Sequence, residues 1–238
     1  MKANLERSVA ERRRELMEAG NEMDAFSYSV SHDLQAPLRS LGGFARLLSE
    51  EYGALLDSRG RDYLQRITGA TEHMRALIED LMRLSQVASV QLSRLEVDLS
   101  QMVRSIVDEL QQHEPDRVVQ IRIGDKVTGH ADPSLLRIAL HNLLANAWKF
   151  TRRKDNAYIE FGAVPGSQSA YFIRDNGADF DPEVATDMFA PFRRFHSEAD
   201  FPGTGVGLSI VQRVIARHGG EITATGAVGE GAMFTFSL

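Results

Sequence analysis

Residues Ser31-His32-Asp33-Leu34-Gln35-Ala36-Pro37-Leu38-Arg39 set a histidine beside a carboxylate on an apolar repeat, just ahead of a proline. Upstream, apolar positions step by four and three through Leu5, Val9, Leu16, Ala19, Met23, Phe26 and Val30, with Arg12 as a polar interruption. That is the coiled-coil period, and Glu11, Arg13, Arg14, Glu15 and Glu18 surround the seam. After Val30 the seam takes an additional step of four, through Leu34 and Leu38 to Leu41, Ala45 and Leu48, which locally unwinds such a coil. His32 falls off the seam and is expected to face solvent. Pro37 adds to the expected break, because its ring removes a helix hydrogen bond. An imidazole accepts phosphoryl well when one nitrogen is open and the other is held as N–H, and Asp33 is placed to hold it.

Turn residues interrupt the pattern between Glu51 and Gly60, and a second seam runs Tyr63, Ile67, Ala70, Met74, Leu77, Leu81, Leu84. Two helices joined by a short connection form an antiparallel hairpin with a wide apolar stripe. A lone hairpin cannot cover that stripe, so pairing of two chains into a four-helix bundle is expected. The alternative is a helical pair packed on its own chain's second domain.

With 238 residues the chain has room for two domains, and its net charge of −6 favours neither nucleic acid nor an anionic membrane as partner. It has no cysteine, which removes disulfides and thiolate chemistry, and no apolar run of membrane-spanning length. The first residues carry a single early lysine and no apolar core, unlike a secretory signal. A soluble, cytoplasmic chain is expected.

Gln91–Ser100 reads as a linker, Leu99–Gln112 as a helix and Arg117–Ile123 as a strand. Asp132-Pro133-Ser134 starts a helix, with Asp132 as cap. That helix places Asn142 and Asn146 on one face with Lys149 following. Asparagine is an indifferent helix former, so a polar solvent face or a ligand must account for the pair. Amide oxygens suit Mg²⁺ carried in on a nucleotide, and the lysine would neutralise phosphate. Strands at Tyr158–Val164 and Ala170–Arg174 lead into Asp175-Asn176-Gly177, where a carboxylate can accept from an exocyclic amine, or the tripeptide is simply a turn. Gly203-Thr204-Gly205-Val206-Gly207-Leu208-Ser209 opens a helix reaching Arg217, and closely spaced glycines let backbone N–H groups approach phosphate. With strands at Glu221–Thr225 and Met233–Ser237, the order indicates an α+β fold. It is neither a dinucleotide fold nor a P-loop.

In this order the segments resemble the transmitter region of sensor histidine kinases, including those attached to phytochrome-like photosensors. Ser31–Pro37 is similar to the phosphoacceptor box, His141–Phe150 to the asparagine box, Asp175–Gly177 to the first glycine box, Phe189–Arg194 to the phenylalanine box and Gly203–Gly207 to the second glycine box. The resemblance implies a coiled-coil signalling helix over 1–20, a dimerisation and phosphoacceptor domain over 21–90, a linker over 91–100 and a catalytic domain over 101–238. That last domain would be an α/β ATP-binding sandwich of the type shared with Hsp90, gyrase and MutL. It implies that His32 is phosphorylated, with Asp33 as orienting base. Asn146 would be the main Mg²⁺ ligand with Asn142 beside it, Lys149 and Arg194 would address phosphates, Phe150 would pack near the nucleotide, and Asp175 would bind the adenine amine. Gly177, Gly203, Thr204, Gly205, Gly207 and Leu208 would complete the ATP site, under a lid between Phe180 and Thr204. The implied partners are a second copy of the chain, the receiver domain of a response regulator and an upstream sensor module that this chain does not carry. Three positions depart from the pattern. Ala36 stands where many members carry the Thr or Asn used to dephosphorylate the regulator, so weak phosphatase activity is expected. Asp179 replaces a usual glycine, and Ala232 a frequent threonine near the adenine. The rival readings are a catalytically silent dimeric ATP-binding scaffold and an ATPase machine of the Hsp90 type.

Overall fold

A computed structural model describes residues 29–167, 169–180, 185, 187–193, 195, 200–201, 203–227 and 231–238. The coiled-coil segment over 1–20 and Arg194 lie outside them. The chain divides into two compact units, Met1–Val90 and Gln91–Leu238.

In the first unit, helix α1 covers residues 29–52 and α2 covers Ser58–Ser89. Pro37 does not break α1, which is uninterrupted through this position. A proline inside a helix removes one N–H and leaves the carbonyl four residues back, that of Asp33, without its helical donor. Packing against α2 outweighs that loss: the Gln35 amide donates to Met82 Sδ at 3.0 Å, and Gly42 lies against Thr71. The connection ends at Asp57, whose carboxylate accepts the Gly60 N–H at 2.7 Å and caps α2. The predicted seam divides in two. Ala45 is buried in the hairpin, whereas Leu34, Leu41, Leu48, Ile67 and Met74 are exposed, as is Phe44 off the seam.

The second unit is an α/β sandwich. Strand β1 (Leu95–Asp98) precedes α3 (Leu99–His113), so residues 95–100, expected as linker, are structured. Then follow β2 (Gln120–Ile123), β3 (Thr128–Ala131), α4 (Pro133–Phe150), β4 (Tyr158–Ala163), β5 (Ala170–Asp175), a short 3-10 turn at Asp187–Phe189, α5 (Gly207–Arg217), β6 (Ile222–Ala227) and β7 (Gly231–Ser237). β1 and β3 form an antiparallel pair, and the main sheet has the order β2-β4-β5-β7-β6. Its β2–β4 edge is parallel and the remaining pairs are antiparallel. Alternation along the strands buries Ile159, Phe161, Tyr171, Ile173, Phe234 and Phe236, while α3, α4 and α5 pack side by side.

Both ends of α4 are pinned. At its start Asp132 accepts the N–H groups of Ser134 and Leu135 with one oxygen and that of Ser93 with the other. Burial would raise this carboxyl, but these three donors, with His218 nearby, hold it below the ordinary aspartate range. The Asp132 N–H donates to His218 Nε2 at 2.9 Å, and His218 Nδ1 meets the Val214 carbonyl, tying α4 to the end of α5. At the far end Arg117 lies 4.9 Å from the centre of the Trp148 ring and donates to Thr151 Oγ1. Glu114 pairs with Arg117 and Arg152. A helix fixed at both ends is a rigid mount for whatever its exposed face carries.

Candidate functional site

Asn142 and Asn146 both lie half-buried on α4. The Asn142 amide donates to the Ile138 carbonyl at 2.8 Å, which turns its oxygen toward the start of α5, where a Cβ at Gly207 would lie 2.7 Å from Oδ1. The Asn146 side chain makes no hydrogen bond among the described residues. Two amide oxygens without a carboxylate cluster suit a hard cation brought in by phosphates, and this donor set therefore fits Mg²⁺ carried by a nucleotide.

Lys149 and Phe150 form the last turn of α4. The ammonium sits 4.4 Å from the centre of the Phe150 ring, and a Cβ at Gly203 would be 3.3 Å from Lys149 Nζ. Phe150 meets Phe201 with ring centres 5.0 Å apart. Next in the glycine stretch, Gly205 has φ 75°, a left-handed backbone that glycine adopts freely and a residue with a Cβ adopts only under strain. Its carbonyl accepts the Phe192 N–H at 3.0 Å, and Phe192 itself is held at φ 63°. A bulky residue in that region is strained, and the strain sits where the glycine stretch is anchored. Val206 offers no side-chain cap to α5, so among the described residues the N–H groups of the first turn, around Gly207 and Leu208, have no side-chain acceptor, while the Val206 N–H reaches Thr204 Oγ1 at 3.4 Å. An open helix start of this kind suits an anion.

Asp175 ends β5 and is 2% exposed. Burial pushes its carboxyl up to about 7, although the Gly177 N–H at 2.8 Å and the charge of Lys154 pull the other way. Gly177 is a requirement of close approach: a Cβ would meet the Phe150 carbonyl carbon at 2.6 Å. The Ala178 N–H donates to the Phe150 oxygen, so the Asp-Asn-Gly turn is stitched to the end of α4. Asn176 accepts from the Tyr158 N–H and donates to the Asn156 carbonyl. Across the sheet, Ala232 faces Asp175 in register. Among the described residues the non-glycine positions with positive φ are Lys126 and Phe192, so Asp179 adopts no left-handed backbone and the turn makes no demand for glycine there.

Asn142 with Gly207, Lys149 with Phe150 and Gly203, and Asp175 with Gly177 and Phe150 thus come together around α4. His32 and Asp33 belong to the other unit. There the His32 Nδ1 and Asp33 Oδ1 are 3.4 Å apart, with side chains 69% and 78% exposed. Sequence reasoning missed Phe201, Arg153 and Asp200: Arg153 donates to Asp200 at 2.6 Å and lies over the Phe201 ring. Phe201 was the one readable signal, a lone aromatic just before the glycines.

A helical hairpin carrying an exposed His-Asp pair, joined to a sandwich of this strand order with an open helix start and a buried aspartate, defines a two-domain phosphotransferase architecture. The comparisons with known proteins agree. Residues 22–90 match the His Kinase A (phospho-acceptor) domain, and residues 131–238 match the histidine kinase-, DNA gyrase B- and HSP90-like ATPase family. The chain belongs to the sensor histidine kinases, as their transmitter region. It is 34% identical over 228 residues to cyanobacterial phytochrome B of Nostoc sp., covering 94% of this chain and 30% of that protein. Full-length ShkA, solved in complex with AMPPNP, superposes with a TM-score of 0.64 at 26% identity over 89% of this chain and 45% of that one. The histidine kinase AdeS of Acinetobacter baumannii shares the fold, with a TM-score of 0.55 at 22% identity over 87% of this chain and 96% of that one. The chain spans about 30% of the length of the curated phytochromes it matches. Among the described residues no helix is long and apolar enough to cross a membrane.

Proposed function

We propose that the chain binds ATP with Mg²⁺ in the sandwich, phosphorylates His32, and passes the phosphoryl group to an aspartate of a response regulator receiver domain. The gathering of Asn146, Lys149, Phe150, Asp175 and the uncapped start of α5 around one helix carries the reading. Asp175 accepts from the adenine amine at its remaining carboxylate capacity, and Phe150 packs beside the base. Lys149, with Arg194 from outside the described residues, neutralises phosphate charge, and the backbone of Gly203, Thr204, Gly205, Gly207 and Leu208 meets the phosphate oxygens. Asn146 and Asn142 would hold the Mg²⁺, whose charge would screen the phosphates while the sandwich positions them. His32 attacks the γ-phosphorus through its open nitrogen, Asp33 holds the other as N–H, and ADP leaves with the bridging oxygen's electron pair. Positioning and charge neutralisation supply most of the acceleration.

The exposed apolar stripe of the hairpin is covered by a second copy, giving a four-helix bundle. Domain functions follow the same division: signalling over 1–20, phosphoacceptor and dimerisation over 21–90, catalysis in the remainder. Ala36 supplies no polar group beside His32, so phosphatase activity toward the regulator is weak. Incubation with γ-labelled ATP and Mg²⁺, followed by addition of receiver domains, tests the sequence of steps. Alkali-stable label on the chain that moves to a receiver supports it, and label that never leaves the chain contradicts the transfer.

A further inference from the structure

We infer that Arg153, Asp200 and Phe201 form a latch that holds the arm of the glycine stretch against the end of α4 and thereby sets how fast nucleotide leaves. The inference rests on the nucleotide reading of this site and names positioning residues for it.

Two neighbouring residues, Asp200 and Phe201, are gripped from one short segment. Arg153, in the turn that follows α4, donates to the Asp200 carboxylate at 2.6 Å and places its guanidinium carbon 5.4 Å from the centre of the Phe201 ring. Phe150 takes the same ring at 5.0 Å, with the planes inclined at 59°. Phe201 is buried by this grip, at 8% exposure. Two residues further on, Gly203 brings its backbone against the Lys149 ammonium, which itself lies over Phe150. The latch and the phosphate-facing groups are therefore one connected assembly on residues 149–153. With Asp200 and Phe201 gripped and Gly203 set beside Lys149, a nucleotide whose phosphates meet Lys149 and the start of α5 leaves only as fast as that grip loosens.

The Arg153 and Asp200 side chains are 64% and 46% exposed. A pair this wet contributes little to global stability, so breaking it leaves the sandwich folded while loosening the arm. The planar guanidinium makes a hydrogen bond and an aromatic contact at once, which lysine does not reproduce.

The test is stopped-flow displacement of a methylanthraniloyl-labelled ATP, with Mg²⁺, from the full chain in four forms: wild type, Arg153→Asp, Asp200→Arg, and the double exchange. Release is expected to quicken about two- to fivefold in each single variant. The double exchange is expected to return at least half of that change, with the urea midpoint equal in all four forms; a merely structural pair would move the midpoint together with the release rate. Equal release rates in all four forms overturn the latch while leaving the nucleotide site standing. Quickened release that the double exchange does not restore overturns the pairing as its cause. Failure of the wild type to bind the labelled ATP overturns the nucleotide reading, and the latch with it.

Discussion

Phe161, Ile173 and Phe236 of the sandwich are buried by their own chain, whereas Leu41, Phe44 and Leu55 of the hairpin are 53%, 66% and 81% exposed. The same residue types serve opposite ends. In the sandwich they fill a core that one chain completes, and the polar groups inside it are answered locally, as Asp132 is by three N–H groups and His218 by Asp132 and Val214. In the hairpin and its turn they are left exposed by their own chain. The chemistry divides in the same way. Asp175 draws its character from burial, whereas the His32 side chain is 69% exposed, as the acceptor role proposed for it requires. On the proposed function, a recognition site can be built inside one unit, while an acceptor that meets both a nucleotide and a receiver domain has to stand outside.

The comparison breaks most visibly in the cores. Phe161→Ala is expected to destabilise the sandwich by roughly 3 to 5 kcal/mol, read by urea unfolding, because the buried ring leaves a cavity. Phe44→Glu is expected to leave that transition in place and to turn dimers into monomers in sedimentation velocity; a dimer that survives would remove the hairpin face from the interface. Next in size is Asp175→Asn, which would reverse the polarity of the hydrogen bond proposed to the adenine amine. It is expected to weaken ATP binding at least about tenfold by calorimetry, in line with the loss of a hydrogen bond to a charged group.

Asp175 also gives the sandwich a distinctive response to pH. Its folded carboxyl stands at about 7, above the value near 4 of an unfolded aspartate. Between those values the folded chain holds a proton that the unfolded chain releases, so this group's contribution to stability falls as pH rises from about 4 through about 7. Asp132 and Glu114, both held low, act in the opposite sense at acid pH. The difference in unfolding free energy between wild type and Asp175→Asn, measured across that range without nucleotide, isolates the slope. A flat difference would place the carboxyl at its ordinary value. The smallest effect is expected on the hairpin surface: Arg75→Ala, which loses an i,i+4 pair with Glu79, should change stability by no more than about 0.5 kcal/mol.

Much of this was legible in the residues because local chemistry marks it. Asp132-Pro133 announces the start of α4, the spacing of Asn142 and Asn146 puts them on one face, and the glycines before α5 announce an open helix start. The strands β1 and β3 were not legible. Each has four residues, β3 is Thr-Gly-His-Ala with no alternation to read, and both exist because they pair with each other. Pro37 misled for a related reason: its local cost is real, and packing along α1 and α2 overrides it. The latch was invisible because Arg153 and Asp200 are brought together across 47 positions by tertiary folding alone.

The central claim is that the nucleotide site on α4 serves His32. Its most direct test is incubation of wild type, His32→Ala and Asn146→Ala with γ-labelled ATP and Mg²⁺, with labelled-ATP binding measured on the same samples. The account predicts alkali-stable label on the wild type alone, with His32→Ala still binding nucleotide. Label that persists on His32→Ala would contradict it.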